Sequence, residues 1–365
     1  MSFFLVDAGF EWRESQRQVL TVARELRAGR HDVRLLLEPR GELLRRAVEE
    51  GLPAEPLGMR GRWGWLVRHK LTRVMRSRGC RVAHFHDAVS AALGLPAAAA
   101  AQVPVRVLSC PADAGPAGAR LPAQGVDAFI AGSDAVRAEL VRGGAPEAAV
   151  EVVPPGTDFS RFTGQPRGDL VRKELGLGPD DFLVGAVLPL EDERGFGALL
   201  EAAAIVRGQA PKVRVVVLGE GSLRIGDGEA GPGPAAGAAL YYLGFRADAP
   251  RVLASLDMFV VFSHLDGLGG FLVEAMVSGL PVAAADAGQA RDLITHRENG
   301  LLVPARNAKA LADAVVKVHF DRALAARLAA RGRESVLERY SAESMARRIV
   351  GVYERRAHRK GLKLA

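Results

Sequence analysis

The stretch that decides the fold is DGLGGFLVEAMVSGLPV, residues 266–282. It follows an apolar run, DMFVVFS, that has the composition of a buried strand ending at Ser263. Glycines open the stretch, its periodicity predicts a helix from about Gly270 to Ser278, and Gly279 ends that helix. A helix start at the carboxyl end of a buried strand is where open α/β sheets bind ligands, and its free amides suit a phosphate.

Short apolar runs alternate with helical patterns on both sides of this stretch, which is typical of βαβ units in a parallel sheet. The Pro- and Gly-rich segment 154–168 interrupts the alternation. The sequence therefore predicts an α/β protein with two Rossmann-like, doubly wound domains facing a crevice, an N-terminal domain over 1–160 and a C-terminal domain over 161–340. We expect a last helix within 341–365 to begin behind Ser341 and to pack back toward the N-terminal domain.

Eleven segments of the chain, the one at 270–278 included, show the periodicity of a helix. It predicts helices over 14–28, 42–50, 62–78, 88–100, 133–142, 195–208, 248–255, 270–278, 307–320, 322–339 and 342–357. The segment 221–237 holds too much glycine and proline for a helix, and it predicts a loop.

Composition restricts the class of protein further. Lys and Arg number 49 against 42 Asp and Glu, a net charge of +7 that fits either a solvated basic surface or an attraction to phosphates, nucleotides or an anionic membrane. No zinc spacing or aromatic RNA-binding motif is present, so nucleic acid is not an expected partner. Two cysteines, Cys80 and Cys110, do not make a disulfide framework. Because no stretch reaches the roughly 20 apolar residues of a membrane span, we expect a cytoplasmic protein.

The pattern around the deciding stretch resembles a known family. Asp266, seven intervening residues and Glu274, followed by AMVSGLPV, resemble the E-x7-E signature of family 4 (group 1) glycosyltransferases. The segments YYLGFRADAPRVLASLDMFVVFS and AGQARDLITHRENGLLVPARNAKALADAVVKV, before and after it, resemble the same family. The resemblance implies the two-Rossmann-domain GT-B fold, retention of anomeric configuration, a nucleotide-diphosphate sugar as substrate, and neither a cofactor nor a metal ion.

The resemblance also implies roles for particular residues. Glu274 would bind the ribose hydroxyls of the donor, and Asp266, in place of the usual Glu, would contact the transferred sugar as a catalytic residue. Arg194, in EDERGF, stands where a lysine usually binds the diphosphate. The donor-binding residues implied are Arg194, Ser263, Gly269, Gly270, Phe271 and Glu274. Taken alone, the two acids also fit a turn residue and a first-turn helix acid favoured by the dipole.

The facing half of the site and the diphosphate clamp depart from the family pattern. Glu14 and Ser15 stand where the loop after the first strand usually has glycines. Cys110 stands where many members carry a His near the reacting sugar, and Pro189 where the first diphosphate-binding basic residue is usual. We group Glu14, Ser15 and Cys110 as acceptor-side residues.

The segment HFHD adds two candidates at the end of a first-domain strand. Alternation points His84 and His86 to one side and Asp87 to the other. We take His86 as a candidate catalytic group and Asp87 as an acceptor-side group. The alternative is a hydrogen-bonded packing role for the histidines.

Residues 60–81, RGRWGWLVRHKLTRVMRSRGCR, form a strongly basic segment with two tryptophans. Two interpretations fit. The segment is a peripheral membrane helix on an anionic surface, at the inner face of the cytoplasmic membrane, or a solvated helix whose tryptophans Trp63 and Trp65 belong to the core.

The expected function is sugar transfer from a nucleotide-diphosphate sugar to a glycan or lipid-linked acceptor in cell-surface polysaccharide or lipopolysaccharide synthesis. The alternative is a catalytically impaired relative that binds a nucleotide sugar or a partner, because the loop after the first strand, Cys110 and Pro189 all depart from what the family uses for transfer. An epimerase on the same fold fits the signature helix less well. A dinucleotide oxidoreductase fits poorly, because DAGFEW follows the first strand where G-x-G-x-x-G is required.

Overall fold

The computed structural model describes residues 2–60, 63–110, 124–165, 167–187, 193–219, 240–244, 246–262 and 269–362, together with three two-residue strands between 224 and 234. The side chains of Glu14, Glu193, Arg194 and those short strands are outside this description. The chain divides into two compact units. Unit 1 is Met1–Gly156 with Tyr340–Ala365, and unit 2 is Thr157–Arg339.

Unit 1 alternates strands and helices nearly throughout. Its strands are β1 (Ser2–Asp7), β2 (Asp32–Leu37), β3 (Ala54–Pro56), β4 (Val82–Phe85), β5 (Val105–Cys110), β6 (Ala128–Ala131) and β7 (Val150–Val152). Its helices are α1 (Glu14–Ala28), α2 (Glu42–Glu49), α3 (Gly64–Ser77), α4 (Ala88–Ala100), α5 (Asp134–Arg142) and, from the end of the chain, α13 (Ala342–Arg359).

The seven strands of unit 1 form one parallel sheet in the order β3-β2-β1-β4-β5-β6-β7. Alternate residues of β1 point to opposite faces, as the period of two requires. Phe3 and Leu5 join a core formed with α1, α2 and α13, whereas Phe4 and Val6 join a second core with α3, α4 and α5. Both faces of the sheet are therefore covered by helices, which explains why its strands are nearly all apolar.

Unit 2 repeats this plan. Its strands are β8 (Phe182–Val187), β9 (Val213–Leu218), β10 (Arg224–Ile225), β11 (Gly228–Glu229), β12 (Gly233–Pro234), β13 (Leu240–Gly244), β14 (Met258–Val261), β15 (Val282–Ala285) and β16 (Leu301–Val303). Its helices are α6 (Leu170–Glu174), α7 (Glu193–Gln209), α8 (Ala249–Leu253), α9 (Gly269–Val277), α10 (Ala290–Leu293), α11 (Ala308–Phe320) and α12 (Arg322–Arg339).

The main sheet of unit 2 has the order β12-β13-β9-β8-β14-β15-β16, and β10 pairs with β11 apart from it. Six of its strands are parallel, and the edge strand β12 is antiparallel to β13. The predicted fold class, two doubly wound parallel α/β domains, is confirmed. The loop predicted over 221–237 lies outside the described residues, except for the three short strands. Among the helices that the structure describes, none is both long and apolar enough to cross a bilayer.

Candidate functional site

The start of α9 lies beyond the carboxyl end of β14, as the sequence predicts. The first amide of the helix, that of Gly269, donates to Oε1 of Gln289 at 3.1 Å. A Cβ added at Gly269 would lie 2.5 Å from the same oxygen, so a side chain there would displace Gln289. A Cβ at Gly270 would meet nothing within 4 Å among the described atoms, so the described residues leave space beside the backbone there.

Glu274 lies in the second turn of α9 and is only 4% exposed. Its neighbours in the helix, from Leu272 to Val277, are apolar and buried, whereas Phe271 is exposed. The carboxylate oxygens of Glu274 can accept hydrogen bonds, and ligand hydroxyls are one class of group that donates them. Asp266 and Ser263 lie outside the described residues, as does Pro189. Arg194 is the second residue of α7, and its side chain lies outside the description.

The carboxyl edge of the unit 1 sheet holds a buried acid that sequence reasoning missed. Asp7 ends β1 and is 1% exposed. Its carboxylate accepts from the amide of Gly9 at 2.9 Å and from Nε2 of Gln16, at 3.3 Å to each oxygen. Burial, and next the charge of Asp87, raise the pKa of Asp7 to about 6. The signal in the sequence was an acid that ends an otherwise apolar strand.

Asp87 connects two neighbouring strand ends. Its Oδ2 accepts from the amide of Ala8 at 2.7 Å, which joins the end of β1 to the end of β4. Its Oδ1 caps α4 by accepting from the amides of Val89 and Ser90 at 2.8 and 2.9 Å. Both carboxylate oxygens of Asp87 are thus committed to backbone amides, which fixes the loop after β1 and the start of α4.

His86 lies against the other histidine of its strand. The two imidazole rings are 4.0 Å apart between centroids, so both histidines do point to one side, as alternation predicts. His84 is bonded at both nitrogens, to the hydroxyl of Tyr353 at 2.7 Å and to Oγ of Ser109 at 2.7 Å. Nε2 of His86 is buried and has no hydrogen-bond partner among the described residues. Burial lowers the pKa of His86 to about 3, so the ring is neutral at pH 7.

The remaining acceptor-side residues lie around this edge. Glu14 is the first residue of α1 and Ser15 the second, and Oγ of Ser15 donates to Oε1 of Gln16 at 3.0 Å. Cys110 ends β5 as a buried thiol whose pKa burial raises to about 12. The edge therefore brings together the ends of β1, β4 and β5, with polar groups that hold one another in place. Arg60, a further cation there, donates from Nε to the carbonyl of Ala8 at 2.9 Å.

Two α/β units, each built on a seven-stranded and mainly parallel sheet, are characteristic of one structural class of enzymes. HepE of Anabaena, solved in complex with UDP, superimposes with a TM-score of 0.80 at 20% identity and covers 96% of this chain and 99% of that one. The fold is accordingly the GT-B fold of glycosyltransferases.

The family follows from two matching sequence models. The model described as Glycosyltransferase Family 4 matches residues 15–161, and the model described as Glycosyl transferases group 1 matches residues 181–321. The chain belongs to the family that these two models describe, the family 4 (group 1) glycosyltransferases. The predicted resemblance is confirmed.

Two relatives come from Rhizobium meliloti. The lipopolysaccharide core biosynthesis glycosyltransferase LpsE is 29% identical over 188 residues, which are 51% of this chain and 54% of LpsE. The lipopolysaccharide core biosynthesis mannosyltransferase LpsB is 30% identical over 216 residues, which are 54% of this chain and 59% of LpsB. The chain thus spans little more than half the length of these relatives.

Proposed function

We propose that this protein transfers a sugar from a nucleotide-diphosphate sugar to a glycan or lipid-linked acceptor, with retention of anomeric configuration. The observation that carries the proposal is the start of α9. Open backbone at Gly270 and the positive end of the helix dipole suit the donor phosphates. The buried Glu274, one turn further along, suits a pair of ribose hydroxyls.

In the proposed site, Asp266 contacts the transferred sugar and Arg194 offsets the charge of the departing diphosphate. Arginine presents fixed donors that match phosphate oxygens. The acceptor attacks on the face from which the diphosphate leaves, and the departing phosphate takes up the acceptor proton. Basic side chains and the helix start carry the electrostatic stabilisation, so the proposed reaction uses no metal ion.

The proposed acceptor belongs to cell-surface polysaccharide or lipopolysaccharide synthesis. Support comes from LpsE and LpsB, both named for lipopolysaccharide core biosynthesis. A growing lipopolysaccharide is lipid-anchored, so an enzyme that extends it benefits from a means of reaching the membrane surface.

The surface of α3 supplies such a means. Trp63 and Trp65 are 65% and 60% exposed, and Leu66 beside them is also exposed. The interpretation that the two tryptophans belong to the core is therefore wrong. The helix also carries Arg68, Lys70, Arg73 and Arg76. Exposed tryptophans beside a basic helix face favour peripheral binding to an anionic membrane, which we propose for the inner face of the cytoplasmic membrane.

A donor screen tests the proposed function. Thermal shift with UDP-, GDP-, ADP- and CMP-sugars identifies the donor, and mass spectrometry follows its slow hydrolysis and its transfer to lipopolysaccharide core acceptors. We expect at least one donor to raise the melting temperature and to turn over. If no donor binds, the proposal is wrong.

The role of Glu274 has its own test. We expect E274A to weaken donor binding at least tenfold, since the ribose hydroxyls lose their acceptor. E298A, which removes an exposed acid of the same unit, should leave donor binding unchanged. Equal donor affinity in wild type and E274A would show that Glu274 does not bind the ribose hydroxyls of the donor.

A second candidate function, donor binding without transfer, has a specific observation in its favour. Two candidate groups at the unit 1 edge do not take up a proton at pH 7, because His86, with a pKa of about 3, is too weak a base and the thiol of Cys110, with a pKa of about 12, is already protonated. In the same screen, donor binding with neither hydrolysis nor transfer would support this impaired relative over the enzyme.

Membrane association is measured by flotation with vesicles of phosphatidylglycerol and of phosphatidylcholine. We expect flotation with the anionic vesicles only, and its loss in the double variant W63A/W65A. F320A removes an equally exposed aromatic residue of unit 2 and should float like wild type. If wild type stays at the bottom with both vesicles, the membrane proposal fails.

A further inference from the structure

A cavity of about 360 Å³ lies within unit 2, at the edge of the sheet opposite the start of α9. Its walls include Phe182, which begins β8, Asp257, which precedes β14, and Pro281, which precedes β15. It therefore lies at the amino ends of these parallel strands, whereas α9 begins beyond their carboxyl ends. Ser278 and Gly279, which follow the last residue of α9, also line it. The nine residues of that helix span about 13 Å from the start of α9 to its last residue. None of the described donor-binding residues lines the cavity, which is therefore distinct from the proposed donor site.

The lining of the cavity combines polar and apolar surface in roughly equal parts. Phe162, Phe182, Leu256 and Pro281 supply aromatic and aliphatic surface, and Ala325 with its neighbours presents a small-residue face of α12. A volume of this size suits a small organic molecule rather than a macromolecule.

Positive charge at the cavity exceeds the negative charge that faces it. Asp257 is buried and accepts from Arg172, from the exposed Arg167 and from the amide of Leu183. One carboxylate therefore serves two guanidinium groups, and one positive charge is left over.

Arg322 adds a second cation at the rim. Its guanidinium lies 5.3 Å from the centroid of the Phe182 ring, and among the described residues it forms no ion pair. The nearby Asp321 accepts from the amide of Leu324 at 2.9 Å as it caps α12. Among the charged residues that line the cavity, Arg167 and Arg322 thus outnumber Asp257, which is also paired with Arg172. A bound carboxylate or other organic anion would balance the remaining charge.

We propose that this cavity is a second binding site, for a small organic anion with an apolar ring. The ring would lie against Phe182 and the alanine face of α12, and the anionic group would meet Arg322 and Arg167. Neither feature alone accounts for the lining, because an inorganic anion leaves the apolar walls bare and a neutral ring leaves the guanidinium groups without an anion.

The test uses a probe with both features and two probes with one each. Calorimetric titration of the full chain compares 2-naphthoate with 2-naphthalenemethanol and with acetate. We expect 2-naphthoate to bind one to one and at least tenfold more tightly than either control ligand. If 2-naphthalenemethanol binds as tightly as 2-naphthoate, the arginines have no role and the proposal is overturned.

Matched variants on α12 locate the site. R322Q should weaken 2-naphthoate binding at least tenfold, and R327Q, which changes an exposed arginine of the same helix that does not line the cavity, should change it less than twofold. A326W should block the cavity, since Ala326 lines it and is exposed, and A323W is its control. Equal losses in R322Q and R327Q, or unchanged binding in A326W, would overturn the proposal.

One further variant excludes binding at the start of α9. E274Q should bind 2-naphthoate like wild type, because Glu274 belongs to the proposed donor site and does not line the cavity. If E274Q loses 2-naphthoate binding while R322Q keeps it, the probe occupies the proposed donor site and the cavity assignment is wrong.

Discussion

The two units share a topology but differ in the polar groups that they bury. Among the described residues, unit 1 buries ten polar or charged side chains and unit 2 buries four. Those of unit 1 include Asp7, His84 and His86, all of which depart from their ordinary pKa because of burial. Unit 2 holds an ion pair between Arg172 and Asp257 in which both side chains are buried. The stability of unit 1 should therefore depend on pH through buried titrating groups, and that of unit 2 on a charge pair.

All three tryptophans, Trp12, Trp63 and Trp65, lie in unit 1. Tryptophan fluorescence consequently follows unit 1 alone, whereas far-ultraviolet circular dichroism follows both units. Denaturation recorded by the two signals separates the effects of a substitution on one unit from its effects on the other.

The largest effect is expected from Y353A in unit 1. Tyr353 is fully buried, packs 5.3 Å from Phe3 between ring centroids, and bonds His84. Truncation should lower the free energy of unfolding by about 4 kcal/mol. Y353F, which removes only the hydroxyl, should cost about 1–2 kcal/mol. Both are measured by urea denaturation followed by fluorescence. Equal costs for the two variants would show that the hydrogen bond, not the packing, ties α13 to the sheet.

The next effect concerns the ion pair of unit 2. D257N keeps the shape of the side chain but leaves the buried Arg172 without a carboxylate, which should cost about 3 kcal/mol. The change should appear in the circular dichroism transition. D180N, which breaks the exposed pair with Lys212, should cost under about 0.5 kcal/mol. A loss in D257N no larger than in D180N would mean that the charge pair does not hold unit 2.

The smallest effect is a gain in unit 1. The folded pKa of Asp7 is about 6 against an ordinary 3.8, so between those values the folded state holds a proton that the unfolded chain releases. The contribution of Asp7 to stability therefore falls as the pH rises from about 4 to 6. D7N, which mimics the protonated acid, should raise the free energy of unfolding by about 1–2 kcal/mol at pH 8 and by almost nothing at pH 4.

Urea denaturation of D7N at the two pH values, followed by fluorescence, checks this gain. D32N, at an exposed aspartate of β2, should show no such difference between pH 4 and pH 8. A D7N protein that is less stable than wild type at pH 8 would mean that the carboxylate is needed in its charged form.

Much of the fold could be predicted from the sequence because its elements are locally specified. The helices predicted over 14–28, 88–100 and 322–339 have those bounds in the structure. Periodicity missed β3, α6 and α10, which have three, five and four residues. Elements so short carry too few residues to show a period, and the sheet or their neighbours stabilise them instead.

The two halves of the candidate site also differ in how far the local sequence could predict them. The α9 half is contiguous in sequence, so glycines, helix and acid could be found together. The unit 1 edge depends on strand register, which places Asp87 beside the amide of Ala8, 79 positions earlier. The bond between His84 and Tyr353 joins residues 269 positions apart. No local pattern encodes such pairs, so the partners of Asp87 and His84 could not be predicted.

Because α13 belongs to unit 1 but is the last helix of the chain, it affects the order in which the two units are completed during translation. Unit 2 is one continuous segment, from Thr157 to Arg339, and it leaves the ribosome before α13 does. One face of the unit 1 sheet needs Met345, Ile349 and Tyr353 for its core. During translation, the unit synthesised first is therefore completed last. Its apolar sheet face lacks this cover throughout the synthesis of unit 2, which is the period when aggregation or chaperone binding has the most surface to act on.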